Sequence, residues 1–485
     1  MTEHQQNESI QTQQRSRRRF LQQMVAASAV AAVPQVLPSG IAHAAHPPSE
    51  RITVGLIGKG LMGSGHLRRL AGDRGIHVAA VCDVDRVRRE DGKRYVEQTY
   101  ASSRRRESYR GCAAYNDYRE LIAREDIDAV VIVTPDHWHA LQATDAARVG
   151  KDVYCEKPIS LTVGQGRKLV EAVQRHGCVF QTGTQYRSIP MIRRVVDFVR
   201  SGGLGKVRSV FTLWHPLGLF TNAGRFEPYR KAMAAEQTSK SLAPMDFALP
   251  GEAVPEGLDW DMWVGPALWR PYNPVYHVNP SPGVVPWSFC EDFGAASVTW
   301  HHSHSADVIQ YALGMEESGP VEIIHPAGGR YPTLTYRYAN GTLLHLVENW
   351  EMVKGIYQAV PAGARLAGNF GGVFVGERGW VTSMSTGGPI EGEPAGIFDE
   401  MGVKTREVNI GANDHHANWF DCIRTRRQPS CPVELGHRSA SLGHLTIIAF
   451  KLGRSLVWDP VRETFYNDDQ ANRLLERSLR SPWRT

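Results

Sequence analysis

A doubly wound α/β domain, then an α+β domain with a large, mainly antiparallel open sheet, is the fold class this sequence predicts. Three observations lead to it. Short apolar runs alternate with helix-length segments from residue 52 onward: Ile52–Ile57, Val78–Cys82, Ala129–Val133, Val153–Cys155 and Val179–Gln181. Such alternation means βαβ units and a parallel sheet. A glycine-rich turn, Gly58-Lys59-Gly60-Leu61-Met62-Gly63, closes the first run and opens a helical stretch. Beyond residue 187, after a helix over Ile189–Arg200, come further strand-like runs: Val207–Trp214, Val321–His325, Thr333–Tyr338, Thr342–Val347 and Gly379–Ser383. Two of them are joined by Asn340-Gly341, a tight-turn pair between antiparallel strands. Residues 50–186 are therefore assigned to the first domain and 187–485 to the second.

The N-terminus reads as an address. Ser16-Arg17-Arg18-Arg19-Phe20-Leu21 precedes a mildly apolar stretch from Met24 to Val36, and Ala42-His43-Ala44 supplies small residues for cleavage. A basic, then apolar, then small-x-small order is that of a signal peptide over 1–44. The arginine pair before Phe20-Leu21 resembles a twin-arginine signal, a route for folded proteins. A basic tail and an ordinary export signal are the alternatives.

Of the formal net charge of +5, this segment supplies +2 through four arginines against Glu3 and Glu8, which leaves +3. That is too weak to indicate nucleic acid or an acidic membrane as a partner. No later apolar run is long enough to span a bilayer. Seven cysteines show no CxxC pair and no metal-ligand spacing, so no metal is expected; a Cys422–Cys431 disulfide is the one pairing worth considering.

The glycine turn carries chemistry in this context. Gly58 permits the tight turn, Gly60 lets backbone approach a pyrophosphate, and Gly63 lets the helix pack on the sheet with its N-terminus toward the phosphates. Asp83 closes the second strand twenty residues after Gly63, placed to accept hydrogen bonds from ribose hydroxyls, which favours NAD. Arg86 and Arg88 keep NADP open, since either can meet a 2′-phosphate.

Three further segments follow apolar strands: Thr134-Pro135-Asp136-His137-Trp138-His139, Glu156-Lys157-Pro158 and Gly183-Thr184-Gln185-Tyr186-Arg187. In that order they resemble the glucose–fructose oxidoreductase / inositol dehydrogenase / MocA (Gfo/Idh/MocA) family. The resemblance continues through Asp261-Met262-Trp263-Val264-Gly265-Pro266 and Gly436-His437-Arg438 to Pro482-Trp483-Arg484. It implies that Thr134, Pro135 and His139 line the nicotinamide half of the cofactor site. Leu61, Met62, His137, Glu156 and Gln185 are the other cofactor contacts it implies, and Lys157 would reach the carbon that exchanges hydride. A cation there steadies a developing alkoxide.

By the same resemblance Asp307 and Gly314 set the register of a second catalytic cluster, with His304 as its histidine. The family's aspartate four residues earlier is replaced by Trp300. His301 or His302 stand in for it, and Trp300, His301, His302, Tyr186 and Arg187 are assigned to the substrate pocket. Histidines three apart also raise a shared metal ion. His415, His416 and His437 are placed on helices packing against the substrate domain. The long span 215–291, rich in Pro and Trp, is expected to wrap over the site or a neighbouring subunit, and the family implies a homo-oligomer, dimer or tetramer.

The leading functional expectation is an exported oxidoreductase that moves hydride between a tightly bound NAD and a hydroxyl of a sugar, sugar derivative or cyclitol. Outside the cytoplasm, in the periplasm or beyond, no NAD pool exists to exchange with, and folded export allows loading first. Two alternatives are carried: an NAD-assisted glycosidase, lyase or epimerase with no net redox change, and a non-catalytic carbohydrate-binding protein.

Overall fold

The computed structural model describes residues 50–103, 108–214, 249–278, 286–295, 298–299, 302–368, 370–383, 389–404, 408–409, 411 and 414–484. The predicted signal, Trp300 and His301 lie outside the described residues, as do parts of the 215–291 span.

Six segments pair as parallel strands: β1 (Ile52–Ile57), β2 (Ile76–Cys82), β3 (Ala113–Tyr115), β4 (Ala129–Ile132), β5 (Asp152–Cys155) and β6 (Phe180–Thr182). Their order is β3-β2-β1-β4-β5-β6. Both faces are buried, so the runs read as nearly continuous hydrophobics. Val54, Leu56, Val78 and Val131 face helices α1 (Leu61–Gly72) and α2 (Arg86–Ser103). Ile57, Val130, Ile132 and Val153 face α3 (Asp136–Arg148) and α4 (Val163–His176). Strand β3 escapes the sequence pattern: Ala-Ala-Tyr at the sheet edge is half-buried and has no apolar run to announce it.

The second sheet has nine strands: β7 (Ser209–Leu213), β8 (Glu322–Ile324), β9 (Thr335–Arg337), β10 (Leu343–Val347), β11 (Val373–Val375), β12 (Trp380–Thr382), β13 (Gly392–Glu393), β14 (Leu456–Asp459) and β15 (Thr464–Phe465). They run β13-β12-β11-β7-β10-β9-β8-β14-β15. Neighbours are antiparallel except β7 and β10. Asn340-Gly341 makes the β9–β10 turn, with Gly341 at φ 88°, a conformation that favours glycine. Helices α5 (Pro190–Arg200) and α6 (His302–Ala312) cover one face of this sheet, burying Val195, Val199, Val308 and Ile309 against Val210, Leu344 and Phe374. The opposite face is partly covered by the chain itself, where Val353 and Val360 pack on Phe211, Val347 and Trp380.

Helices α7 (His415–Thr425) and α8 (Val433–Leu452) complete the chain. Trp419 and Phe420 of α7 insert into the core of the parallel sheet, and Trp483 packs edge-on against Trp138 with ring centroids 4.9 Å apart. Arg167 of α4 donates to Glu434 of α8 at 2.7 and 2.9 Å and to Glu463 at 2.7 Å, lacing the two sheets' helices together. No helix among the described residues is long and apolar enough to cross a membrane.

The β1–α1 junction is tight. A Cβ added at Gly63 would lie 2.0 Å from the Gly58 carbonyl oxygen, so helix and strand would have to part. Gly63→Ala is therefore expected to cost about 1–3 kcal/mol, as overpacking against backbone does. Urea unfolding of the variant beside the wild type measures it.

Candidate active site

The carboxyl ends of β1, β2, β4 and β5 surround a cavity of about 520 Å³. It lies where β1 separates strands that run off in opposite order, the usual ligand position of a doubly wound sheet. Gly58, Gly60, Leu61 and Met62 form one wall, Asp83 and Arg88 a second, and Thr134, Pro135, Asp136 and His139 a third. Glu156 and Lys157 close the end beyond β5.

These residues fit a dinucleotide. No side chain caps the N-terminus of α1, and a Cβ at Gly60 would meet nothing within 4 Å, so backbone is open to a phosphate there. Asp83 is 9% exposed and accepts from the Lys59 amide at 2.7 Å and the Asp85 amide at 2.9 Å. Burial raises its pKa, while Arg88 and the two amides oppose that. Asp83 lines the cavity, where ribose hydroxyls would donate to it.

A roof closes over this groove from the second half of the chain. Asp259 N donates to Val84 O at 3.0 Å, Arg86 N to Gly257 O at 2.9 Å, and Asn116 to Asp259 at 2.8 Å. Trp260 and Trp263 stack at 4.7 Å, and Tyr276 and Phe293 join them in a small core of its own. Met262, Trp263, His277 and Trp287 of this segment line the cavity.

Lys157 sits among carboxylates. It is 7% exposed, and burial pushes its pKa below the ordinary lysine range against the pull of Glu156 and Asp136. Asp136, the first residue of α3, is 2% exposed; burial raises its carboxyl to about 8, although Lys157 opposes the rise. Glu156 is the reverse case. Burial works against its charge, but hydrogen bonds from His66 (3.0 Å) and Gln185 (2.6 Å), with Lys157 beside it, hold its pKa below the usual value. The Lys157–Pro158 peptide is cis.

Several expected site residues are placed elsewhere. His137 does not line the cavity; its ring nitrogens lie 3.2 Å from Phe293 O and 3.0 Å from Trp263 O, holding the roof, and burial pushes its pKa down to about 4. Arg187 is committed to structure. Its Nε and Nη2 donate to Asp307 at 2.7 Å each, and its Nη1 donates to Ser430 O at 2.7 Å and pairs with Glu316 at 3.0 Å. Gln185 serves Glu156 instead of lining the groove, and Gly63 packs helix on strand. His304 and His302 are buried on α6; His304 meets Tyr186 edge-on at 4.4 Å and Phe370 at 5.4 Å, a cluster that does not line the cavity. His415 and His416 sit against Tyr154 of the parallel sheet, because α7 returns to that sheet, and His415 Nδ1 also lies 2.8 Å from Ser188 Oγ of the second domain.

Asp136, His66, Trp263 and His277 were not singled out from the sequence. Asp136 lies inside the Thr134–His139 segment, and only its burial beside Lys157 marks it. Cys422 and Cys431 are separate thiols, as are the other five cysteines. Among the described residues no cluster of three or more His, Cys, Asp or Glu side chains is arranged to hold a metal ion.

A parallel sheet with a glycine-turn groove, an acidic residue at the end of β2 and a buried lysine in the same cavity is the arrangement of a dinucleotide-binding domain. The NAD-binding Rossmann model of the Gfo/Idh/MocA oxidoreductase family matches residues 52–184, and the model of that family's C-terminal alpha/beta domain matches 245–367 and 404–485. The chain belongs to this family. It is 34% identical over 186 residues to glycosyl hydrolase family 109 protein 1 of Shewanella sp. (strain ANA-3), covering 37% of this chain and 38% of that protein. It is 30% identical over 189 residues to inositol 2-dehydrogenase of Salmonella typhimurium, covering 39% of this chain and 51% of that protein. The matches thus span about four-tenths to half the length of these curated relatives. Among solved structures, aldose-aldose oxidoreductase from Caulobacter crescentus aligns with TM-score 0.50 at 16% identity, over 84% of this chain and 99% of that one. At that identity the likeness is one of fold.

Arg187→Met leaves Asp307 buried without its cation, while Glu316 keeps Arg200. Breaking a buried pair from one side costs about 3–5 kcal/mol, so chemical denaturation is expected to show a loss of that size. NAD affinity, measured by calorimetry on protein still folded, is expected to stay near wild type, because Arg187 does not line the groove.

Proposed function

We propose that this protein is an exported, NAD-dependent oxidoreductase that transfers hydride between a retained nicotinamide cofactor and a hydroxyl or ketone of a sugar, sugar derivative or cyclitol. The observation that carries the reading is Lys157, buried between Glu156 and Asp136 at the end of the dinucleotide groove. NAD, when bound, supplies the hydride acceptor. The chain's part is to manage the proton. A lysine whose pKa is pushed down by burial is neutral at a lower pH than a solvated one, so it can take the proton of a hydroxyl. Once protonated, it steadies the oxyanion that loses hydride and is itself steadied by the two carboxylates. In the reverse direction it returns the proton to the ketone oxygen.

The preference for NAD over NADP is supported by Asp83, whose charge would oppose a 2′-phosphate. The two arginines that would accept such a phosphate are engaged: Arg86 pairs with Glu256 at 2.9 Å, and Arg88 donates to His277 O at 3.2 Å. Retention of the cofactor is supported by the roof, which would have to lift to release it. Export rests on the Arg17–Leu21 signal alone. Tyr186 and His304 remain the proposed substrate side, with His304 sharing acid–base work with Lys157, and a dimer or tetramer is the proposed assembly.

A second reading, an NAD-assisted glycosidase that oxidises, eliminates and reduces again, is favoured by the similarity to the Shewanella protein. Products separate the two: a stable keto-sugar marks the dehydrogenase, a freed aglycone the glycosidase.

Purified protein, denatured and assayed for nicotinamide, is expected to release close to one NAD or NADH per chain. Protein that comes empty and binds added NAD weakly overturns retention. Lys157→Ala is expected to reduce sugar-dependent change in nicotinamide absorbance by about 100-fold or more; undiminished change would overturn the role of Lys157, and a wild type whose nicotinamide absorbance no sugar changes would leave the binding-protein reading.

The pH profile offers a finer check. Oxidation needs neutral Lys157, so its rate is expected to rise with pH through a value below that of a solvated lysine. The Asp136 carboxylate raises the Lys157 pKa. In Asp136→Asn this rise is absent, and the rising limb is expected to move to lower pH; a limb that stays in place would show that Asp136 does not act on Lys157.

A further inference from the structure

A file of polar side chains leads from the Lys157 end of the cavity to the protein surface, and the reading above does not use it. Glu156 Oε1 lies 3.0 Å from His66 Nε2. His66 Nδ1 lies 3.0 Å from His416 Nε2. His416 Nδ1 lies 3.2 Å from Nη1 of Arg69, a surface residue of α1. The three inner groups are each 5% exposed or less. Tyr154 stacks on His416 with centroids 4.6 Å apart and planes 12° from parallel, which fixes the outer ring.

The donors can be assigned along the whole file. A guanidinium only donates and a carboxylate only accepts. Arg69 therefore donates to His416 Nδ1, the His416 proton is on Nε2 and points at His66 Nδ1, and the His66 proton is on Nε2 and points at Glu156. Both rings are neutral in this arrangement. Burial, with His66 and Arg69 adding to it, pushes the His416 pKa down to about 2, in keeping with that.

We propose that Glu156, His66 and His416 form a proton relay between the cavity, which Glu156 lines, and solvent, with Arg69 as its outer stop. The proposal rests on the oxidoreductase reading, since it is ketone reduction that consumes a proton in the site and alcohol oxidation that releases one. For inward transfer Arg69 swings off and water protonates His416 Nδ1. His416 passes its Nε2 proton to His66 Nδ1, and His66 passes its Nε2 proton to Glu156, which gives it up to a substrate or water oxygen in the cavity it lines. One proton has entered, and both rings are neutral with their protons now on Nδ1. Outward transfer runs the same bonds in reverse: a proton released in the cavity to Glu156, Glu156 to His66 Nε2, His66 Nδ1–H to His416 Nε2, and His416 Nδ1–H to water. The resting tautomers are restored. A cycle with one oxidation and one reduction on a retained cofactor therefore resets the relay without turning either ring.

Neutron diffraction on crystals of the cofactor-loaded protein, soaked in heavy water for timed intervals, tests this without a substrate. Wild type is expected to show both rings protonated on Nε2 and to gain deuterium at His66 Nε2 within short soaks. His416→Gln keeps a hydrogen-bonding group beside His66 but cannot pass a proton, and deuterium uptake at His66 is expected to slow roughly tenfold or more. His416→Phe, which keeps a ring against Tyr154, is expected to do the same. A network that only holds structure predicts uptake as fast or faster in both variants, and that result, or a proton on Nδ1 of either resting ring, overturns the relay. The same crystals' protein, assayed with myo-inositol and glucose, separates the two claims. Uptake lost in the variants with no turnover in wild type supports the conduit and counts against the oxidoreductase reading. Turnover in wild type with unchanged uptake in the variants sinks the relay alone.

Discussion

Glu156 carries a negative charge at the end of a buried strand, where removal from water costs several kcal/mol unless hydrogen bonds and an opposite charge replace what water supplied. Three separate parts of the chain provide the replacement: His66 from α1, Gln185 from the turn after β6, and Lys157 from the next position in sequence. Each of those residues is held in turn. His66 is backed by His416 of α7, and Gln185 also donates to the Tyr154 hydroxyl at 2.8 Å. The requirement to keep one carboxylate ionised thus positions α1, α7 and the strand ends around the cavity, and it leaves Lys157 beside a fixed negative charge.

The roof answers a different need. Residues 249–278 and 286–295 have little regular structure, so their backbone groups must find partners outside any ladder. They find them at the lip of the groove, on Val84, Arg86 and Asn116, and their aromatic side chains bury one another instead of relying on the main cores. His137 belongs to this design. A ring set between two backbone carbonyls fastens the roof to α3, which is why a residue inside a cofactor motif is absent from the cofactor's walls.

Arg187 shows how distant parts of the second domain are tied together. Its guanidinium satisfies Asp307 of α6, the Ser430 carbonyl before α8 and Glu316, all in a buried setting. Arg167, across Glu434 and Glu463, makes the contact between the two domains a matter of directed ion pairs as well as of hydrophobic packing. Paired in this way, the Arg187 guanidinium can be buried; alone it could not be.

The sequence by itself determined both sheets in outline, since the period of apolar residues follows from burial on one or two faces. β1 is read to the residue, and β2, β4, β5 and the β9–β10 turn within a few positions. The glycine turn and Asp83 were legible too, because their constraints are local: a tight turn, an uncapped helix, a carboxylate at a strand end. Short edge strands such as β3 were not, having too few apolar residues to make a pattern. What only the tertiary structure decided is which polar residues share a site. Asp136 and Lys157 are 21 positions apart, and His66 and His416 are 350 apart. Arg187 and His137 looked available for ligands until the partners that occupy them were brought close by folding. Charge and hydrogen bonding act over a few ångströms, so their pairings are settled by the fold, whereas apolar periodicity is written along the chain.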